Sequence, residues 1–145
     1  MASEKNVHAT THDARGAKLS EAAEARCEQI LADWMAALNA HDAERMDSFL
    51  RFPHVRAAAN DVTVYWRPGD NPMDVFRKLI DEQDWHHSAW TDIRLVQSSP
   101  NKAHYAVQYT RYRADRSVIG VFDSLFVFTC IHGDWKIQVR SSFGP

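Results

Sequence analysis

Apolar residues recur at helical spacing in the first half of the chain, and alternate with polar residues over most of the second half. From Ser20 onward an apolar position returns every three or four residues, which predicts an amphipathic helix with Ser20 as its N-cap. Asp42 can cap a second, short helix that ends before Pro53, because proline disfavours helical geometry in the residue before it. The apolar positions of the first helix are Ala23, Cys27, Ile30, Leu31, Trp34 and Leu38.

A third helix is predicted to begin at Asn71-Pro72, because proline suits the first helical position. After residue 86 the two-residue alternation predicts four long strands near 87–97, 102–113, 118–131 and 134–143, and shorter extended pieces precede them near 54–58 and 62–66. Helices followed by a run of strands are typical of an α+β fold, with the helices on one face of a curved, mainly antiparallel sheet. Residues 1–19 are polar and aperiodic, so we expect a flexible tail and a single domain at 20–145.

Charge and composition exclude several classes of partner. The net charge is −2 with no basic block, so the usual electrostatic footprint of a nucleic-acid-binding protein is missing. No apolar run reaches transmembrane length, and the N-terminus lacks the apolar core of a signal peptide, which indicates no membrane partner. Cys27 and Cys130 have neither metal-ligand spacing nor a disulfide framework, so we expect a reduced, cytoplasmic protein.

Four segments carry a family resemblance: LADWMAALNAHDAERMDSFL, FPHV, VTVYW and VFDSLFVFTCIHGDWKIQVRSSF. Their order resembles the nuclear-transport-factor-2-like superfamily and, within it, the SnoaL-like (polyketide-cyclase-like) bacterial proteins, over roughly residues 20–145. The resemblance implies a cone-shaped, cystatin-like roll with three N-terminal helical segments, an apolar pocket at its open end and no cofactor. Such proteins often pair through the sheet. They include isomerases, dehydratases, epoxide hydrolases, cyclases and proteins without chemistry, so the fold does not decide the activity.

The catalytic pattern of the ketosteroid isomerases of this superfamily is not matched. Trp34 takes the place of their helix-one tyrosine, and an indole donates one hydrogen bond but exchanges no proton. The neighbourhood of their aspartate base is Arg56-Ala57-Ala58-Ala59, which has no carboxylate. A dehydratase like scytalone dehydratase, which works through histidine and tyrosine side chains, fits the inventory better, since His54, His87, Tyr65 and Tyr109 are available.

Two adjacent histidines stand between two tryptophans in the stretch DEQDWHHSAW, residues 81–90. If a strand begins here, His86 and His87 point to opposite faces and cannot hold one ion, so we predict no metal site. We place His87 in the cavity beside Trp90, where an imidazole could exchange a proton near neutral pH. The plainer interpretation is one pocket-mouth histidine and one solvated histidine. His54 borders the same region, either as a catalytic group or as a hydrogen-bonded residue at a strand end.

Strand pairing predicts a polar patch on one face of the sheet. Turns at 114–117 and 132–133 place Gln108 and Ser142 opposite Asp123, with Arg140 on the same face. Asp123 would then act as an acid, or pair with Arg140 as a structural ion pair. A bulge would exchange the faces locally. Arg111 and Arg113, near a turn, are expected to be solvated.

The leading hypothesis is therefore a protein that binds a small apolar or aromatic molecule in a conical pocket. The competing hypotheses are a cofactor-independent dehydratase, isomerase or cyclase, and a structural dimerisation module. A homodimer that pairs through one face of the sheet is expected, because many aromatic residues fall on strands that the helices cannot cover on both sides. The predicted ligand-binding residues are Trp34, Trp66, Trp90, Gln108, Tyr109 and Arg140, and the predicted catalytic residues are His87, Asp123 and His54.

Overall fold

The computed structural model describes residues 18–71 and 74–145, and most of the predicted tail lies outside the described residues. Within these ranges six strands form one sheet in the order β2-β1-β6-β5-β4-β3, in which only β1 and β6 are parallel neighbours. The predicted α+β architecture, helices on a curved and mainly antiparallel sheet, is confirmed. The elements are α1 (Glu21–Asn39), α2 (Ala43–Ser48), β1 (Leu50–Ala57), β2 (Val62–Tyr65), α3 (Asp74–Gln83), β3 (His87–Ser99), β4 (Lys102–Tyr112), β5 (Val118–Ile131) and β6 (Asp134–Ser142).

Both predicted helix caps are present. The Ser20 hydroxyl accepts a hydrogen bond from the Ala23 N–H at 3.1 Å, and an Asp42 carboxylate oxygen accepts one from the Arg45 N–H at 3.1 Å. Each bond satisfies an N–H that the helix itself cannot pair. Leu19, which we assigned to the tail, is buried in the core.

The first strand differs from its prediction. The second helix ends at Ser48, and β1 begins at Leu50, so the strand contains Pro53 instead of following it. The pairing of β1 with β6 shifts register between Leu50 and Val55. A proline is tolerated at such an irregularity, because no ladder hydrogen bond needs its missing N–H.

A second irregularity, between β5 and β6, changes which side chains share a face. Val127 pairs with Val139, but Phe128 pairs with Ile137, so Gln138 is an extra residue in β6. Side chains alternate along a strand, so one extra residue moves everything after it to the other face.

The bulge divides the predicted polar patch between the two faces of the sheet. Ser142 lies opposite Ser124, and Arg140 lies opposite Phe126. Asp123, the neighbour of Ser124 along the strand, therefore points away from both. The prediction of one patch containing Asp123, Arg140 and Ser142 is wrong, because it assumed a regular β5–β6 register.

The hydrophobic core lies between α1 and one face of the sheet, which we call the inner face. Burial is most complete where α1 meets the central strands, at Cys27, Ile30, Leu31, Tyr105, Phe128 and Ile137. The opposite, outer face carries polar and half-buried residues. Over the described residues, no helix combines the length and apolar character needed to cross a bilayer.

Candidate functional site

A cavity of about 120 Å³ remains between the helices and the inner face of the sheet. Apolar side chains, hydroxyl groups and arginines line it, and no aspartate or glutamate does so among the described residues. Its lining consists of Trp34, Met35, Leu38, Met46, Arg56, Tyr65, Asn71, Leu79, Ser88, Tyr109, Arg111, Ser124, Phe126, Arg140, Ser142 and Pro145.

Trp34 is the centre of the aromatic wall of this cavity. It projects from α1, is 6% exposed, and meets Phe126 of β5 edge-on with ring centroids 5.5 Å apart. Trp90 of β3 stacks behind it at 6.1 Å, and the Trp90 indole N–H donates to the Leu31 carbonyl at 2.8 Å. Such contacts hold large flat side chains in one orientation.

Arg140 is a deeply buried charged group in the lining. It is 8% exposed, and its Nε–H donates to Nε2 of His54 at 2.9 Å. Its guanidinium carbon lies 5.2 Å from the centroid of the Trp34 ring. Burial, together with the charge of the neighbouring Arg56, lowers the pKa of Arg140 to about 10. The side chain is nevertheless a cation at neutral pH.

His54 is completely buried behind Arg140, and its surroundings decide its protonation. Burial, together with the nearby Arg140 charge, lowers its pKa to about 3, so the ring is neutral at pH 7. An arginine N–H can only donate, so Nε2 is the acceptor, and Nδ1 carries the proton that it donates to the Ile137 carbonyl at 3.1 Å. Both ring nitrogens are occupied. His54 is therefore placed to orient Arg140, and Tyr65 stacks on its other side at 6.0 Å.

Two more arginines face the same cavity. Arg56 of β1 is the direct cross-strand neighbour of Arg140. Arg111 of β4 is 6% exposed and donates to Oε1 of Gln83 at 3.2 Å, with its guanidinium 4.8 Å from the Phe122 ring centroid. Burial lowers the pKa of Arg111, and Arg56 lowers it further. The expectation that Arg111 is solvated is wrong.

Hydroxyl groups complete the lining near Arg140. The Tyr109 and Ser142 hydroxyls are 2.9 Å apart and share a hydrogen bond, and the Gly144 N–H donates to the Ser142 hydroxyl at 3.1 Å. A methyl group at position 144 would overlap the Tyr109 hydroxyl, so glycine allows the chain to pass here. Across the cavity, the Asn39 side chain holds the Ser88 main chain through two bonds of 2.8 Å.

Of the predicted ligand-binding residues, the structure brings Trp34, Tyr109 and Arg140 to the cavity. Trp90 supports Trp34 from behind. Trp66 is 68% exposed, because inward-facing Tyr65 precedes it on the edge strand, and its placement in the pocket is wrong.

Gln108 and Asp123 are directly paired, as predicted, but on the outer face. Their side chains are 3.4 Å apart, with the Gln108 amide donating to the Asp123 carboxylate. His87 also lies on the outer face, where it stacks on Tyr112 with centroids 5.0 Å apart, because the neighbouring Ser88 takes the inward position. The predicted position of His87 beside Trp90 in the cavity is wrong.

Sequence reasoning missed Arg56, Arg111 and Ser124 as lining residues. A signal for Arg56 was present, because strand alternation puts it on the same face as His54, two residues earlier. Arg111 likewise follows Tyr109 at two-residue spacing. No local signal joined Arg56 to Arg140, because β1 and β6 are parallel neighbours from opposite ends of the chain.

No known family model and no curated protein matches the chain. Solved structures do match. One is a protein of unknown function with a cystatin-like fold from Nostoc punctiforme, with a TM-score of 0.72 and 12% identity, covering 87% of this chain and 93% of that one. Another is a nuclear-transport-factor-2-like protein with a cystatin-like fold from Novosphingobium aromaticivorans, with a TM-score of 0.68 and 11% identity, covering 83% and 80%.

A third match is a nuclear-transport-factor-2-like protein of unknown function from Pseudomonas putida, with a TM-score of 0.65 and 14% identity over 88% of this chain and 90% of that one. Structural similarity at identities this low establishes the fold and leaves the activity open. The chain has the cystatin-like fold of the nuclear-transport-factor-2-like proteins.

Proposed function

We propose that this protein binds a small apolar or aromatic molecule in the cavity beside Trp34. The observation that carries the proposal is an aromatic-walled hollow of about 120 Å³ that the surrounding side chains leave unfilled. Concave hollows with mostly apolar walls and a few polar groups are where proteins commonly bind small molecules. An engineered cavity of about 150 Å³ accepts benzene, which sets the ligand at roughly one ring.

The chemistry of the lining favours binding over proton-transfer catalysis. Among the described lining residues, the titratable groups are three arginines and two tyrosines. General acid–base catalysis works best with groups whose pKa lies near the working pH, and neither residue type normally provides one. His54, His87 and Asp123 do not line the cavity. This supports a binding protein over a dehydratase, isomerase or cyclase.

Tryptophan indole signals in a ¹H–¹⁵N NMR spectrum offer a test inside one molecule. Trp34 lines the cavity, whereas Trp66 is 68% exposed at the sheet edge. Titration with toluene, benzamide and benzoate should shift the Trp34 indole signal in a saturable way for at least one probe. The Trp66 signal should stay in place.

Filling the cavity supplies the matched control. Met35→Trp places a ring in the hollow and should weaken probe binding by at least about tenfold. Val121→Trp adds the same ring on the outer face, at a position that is 53% exposed, and should leave binding unchanged. Probe binding that survives Met35→Trp, or no saturable shift at Trp34 with any probe, would overturn the proposal.

The outer face supports a second part of the proposal, pairing of two copies of this chain. Val121 is 53% exposed there, and Leu125, Val127 and Val139 are only half-buried, which leaves an apolar strip on the surface. Exposed apolar strips of this kind commonly mark contacts between proteins. Sedimentation should show a dimer that Val121→Lys weakens, and a monomer at micromolar concentration would contradict it.

A further inference from the structure

We infer that the ligand of this cavity is an anion, a single-ring or short-chain carboxylate whose carboxylate group binds Arg140. The inference rests on the proposed function and specifies the class of molecule. The two terminal nitrogens of the Arg140 guanidinium have no hydrogen-bond acceptor among the described residues. The only bond recorded for this side chain there is the one from Nε to His54.

Arg140 is held ready for a partner on the cavity side. His54 fixes the Nε edge of the guanidinium at 2.9 Å, and Trp34 lies against it with the guanidinium carbon 5.2 Å from the ring centroid. The Nη1 and Nη2 groups complete a planar fork that matches the two oxygens of a carboxylate. The fork is therefore oriented before any ligand arrives.

No carboxylate of the protein occupies this position among the described residues. The ion pairs recorded there join Arg51, Arg94 and Lys136 to Asp92 or Asp134 and involve none of the cavity arginines. Asp47 slightly favours the charged form of Arg140 but forms no ion pair with it, and its Oδ2 accepts the Gly69 N–H at 2.9 Å. A buried charge normally has a partner, and among the described residues the terminal nitrogens of Arg140 are left to pair with a group that enters the cavity.

The neighbouring arginines make the need for an anion greater. Arg56 lies directly opposite Arg140, and Arg111 faces the same hollow, so three cations line a cavity in a protein of net charge −2. Like charges opposite each other in a sheet destabilise it. One bound anion would compensate both the desolvation of the buried Arg140 charge and its repulsion with Arg56.

The size and polarity of the hollow point to a carboxylate rather than a phosphate. Most of the lining away from the arginines is apolar, with Trp34, Leu38, Leu79 and Phe126 facing a hollow that fits roughly one ring. A carboxylate is planar and needs one arginine fork, with the Ser142 and Tyr109 hydroxyls close by. A phosphate needs donors on three oxygens and gains nothing from an aromatic wall.

The test is isothermal titration calorimetry with benzoate and benzamide, which share size and shape and differ in charge. The wild-type protein should bind benzoate at least about tenfold more tightly than benzamide, because the neutral amide cannot pair with the guanidinium fork. This ratio is measured without any variant, so it does not depend on whether a mutant folds. Phenylacetate and phenylacetamide repeat the comparison with a longer probe.

Variants then test whether Arg140 is the residue that causes the preference for benzoate. Arg140→Gln should weaken benzoate binding by at least about tenfold and change benzamide binding by less than about twofold. Arg140→Lys keeps the charge without the fork and should restore part of the loss. The matched control is Arg94→Gln, which removes an exposed arginine from the outer face and should leave both probes unaffected.

The outcomes separate this inference from the proposed function. Equal binding of benzoate and benzamide would overturn the carboxylate assignment and leave a neutral-ligand pocket. Inorganic phosphate binding as tightly as benzoate, in competition with it, would overturn it in favour of an inorganic anion. Failure of every probe to bind would overturn the proposed function and this inference with it.

Discussion

Arg51 and Arg140 lie on neighbouring strands, β1 and β6, but on opposite faces of the sheet. On the outer face, Arg51 Nε–H donates to the Thr129 hydroxyl at 2.9 Å, and its Nη2 donates to the carbonyls of Thr129 and Asp134. The Asp134 carboxylate lies 3.9 Å away. On the inner face, Arg140 has one hydrogen bond, to a neutral histidine, and no carboxylate partner among the described residues.

The contrast shows how to tell a structural arginine from one that serves a ligand. Buried polar groups in folded proteins nearly always have partners, so a satisfied arginine such as Arg51 needs no function beyond holding strands together. Arg140 is more deeply buried yet has fewer partners, and the cavity lies beside it. This arrangement lowers the pKa of Arg140, and charged groups perturbed in this way cluster at functional sites.

The largest predicted effect separates the packing of the two faces. Phe126→Ala removes a ring that contacts both Trp34 and Trp90 on the inner face, and should lower the free energy of unfolding by about 3–5 kcal/mol. Leu125 is the adjacent residue on the outer face and is only half-buried in the monomer, so Leu125→Ala should lower the monomer's free energy of unfolding by about 1 kcal/mol. Urea denaturation measures both, and equal costs would contradict the assignment of the faces.

The second prediction concerns acid stability and follows from His54. Its pKa is about 3 in the folded chain and 6.5 in the unfolded chain. On acidification the unfolded chain therefore binds a proton that the folded chain does not bind. The contribution of the neutral His54 ring to the free energy of unfolding is fully present above pH 6.5 and is lost as the pH falls towards 3. The loss should reach about 2–3 kcal/mol between pH 7.5 and 4.5.

His54→Gln isolates this contribution, because the glutamine side-chain oxygen can still accept from Arg140 but has no proton to take up. The stability of the wild-type protein relative to the variant, measured from denaturation curves, should fall by about 2–3 kcal/mol across that pH range. Parallel pH profiles would show that the buried imidazole is not the group responsible.

The third prediction is that replacing Arg51 and replacing Arg140 change the free energy of unfolding in opposite directions. Arg51→Met leaves Thr129 and Asp134 without their donor and should cost about 1–3 kcal/mol. Replacing Arg140 by Met together with His54→Phe removes a buried charge and its acceptor at once. That pair should leave the unliganded protein unchanged or stabilise it by about 1–4 kcal/mol.

Thermal and urea denaturation in the absence of ligand measure both changes. A large loss of stability in the double variant would mean that Arg140 is structural, like Arg51, and would remove the contrast between the two faces.

The smallest expected effect is at an exposed pair on the outer face. Arg94 and Asp92 form an ion pair of 3.0 Å, with side chains 68% and 50% exposed. Solvent screens such pairs, so Arg94→Gln should change the free energy of unfolding by no more than about 1 kcal/mol. A larger change would show that solvent does not screen this pair, and that the contact between copies extends beyond the apolar strip of β5 and β6 to β3.

The periodic parts of the fold were predictable, because their signals are local. Ser20 and Asp42 cap helices whose apolar spacing is visible in the sequence, and the long strands have the expected bounds to within two residues. The site was much less predictable. One extra residue, Gln138, decides that Arg140 faces the cavity and Asp123 does not, and no residue type marks a bulge of this kind.

Long-range pairing set the other limit on prediction. Arg56 and Arg140 are neighbours only because β1 joins β6 as a parallel strand, a contact between distant parts of the chain. Arg111 appeared solvated because a turn follows it closely, but the inner face and Gln83 of α3 enclose it. Charges that meet through tertiary structure leave no pattern in the sequence.

The most direct test of the central claim is a crystal structure of the protein grown with benzoate at neutral pH. We predict the ring against Trp34 and Phe126 and both carboxylate oxygens about 2.7–2.9 Å from the terminal nitrogens of Arg140. Benzoate bound elsewhere, or bound in the cavity with its carboxylate turned away from Arg140 towards solvent, would contradict the account.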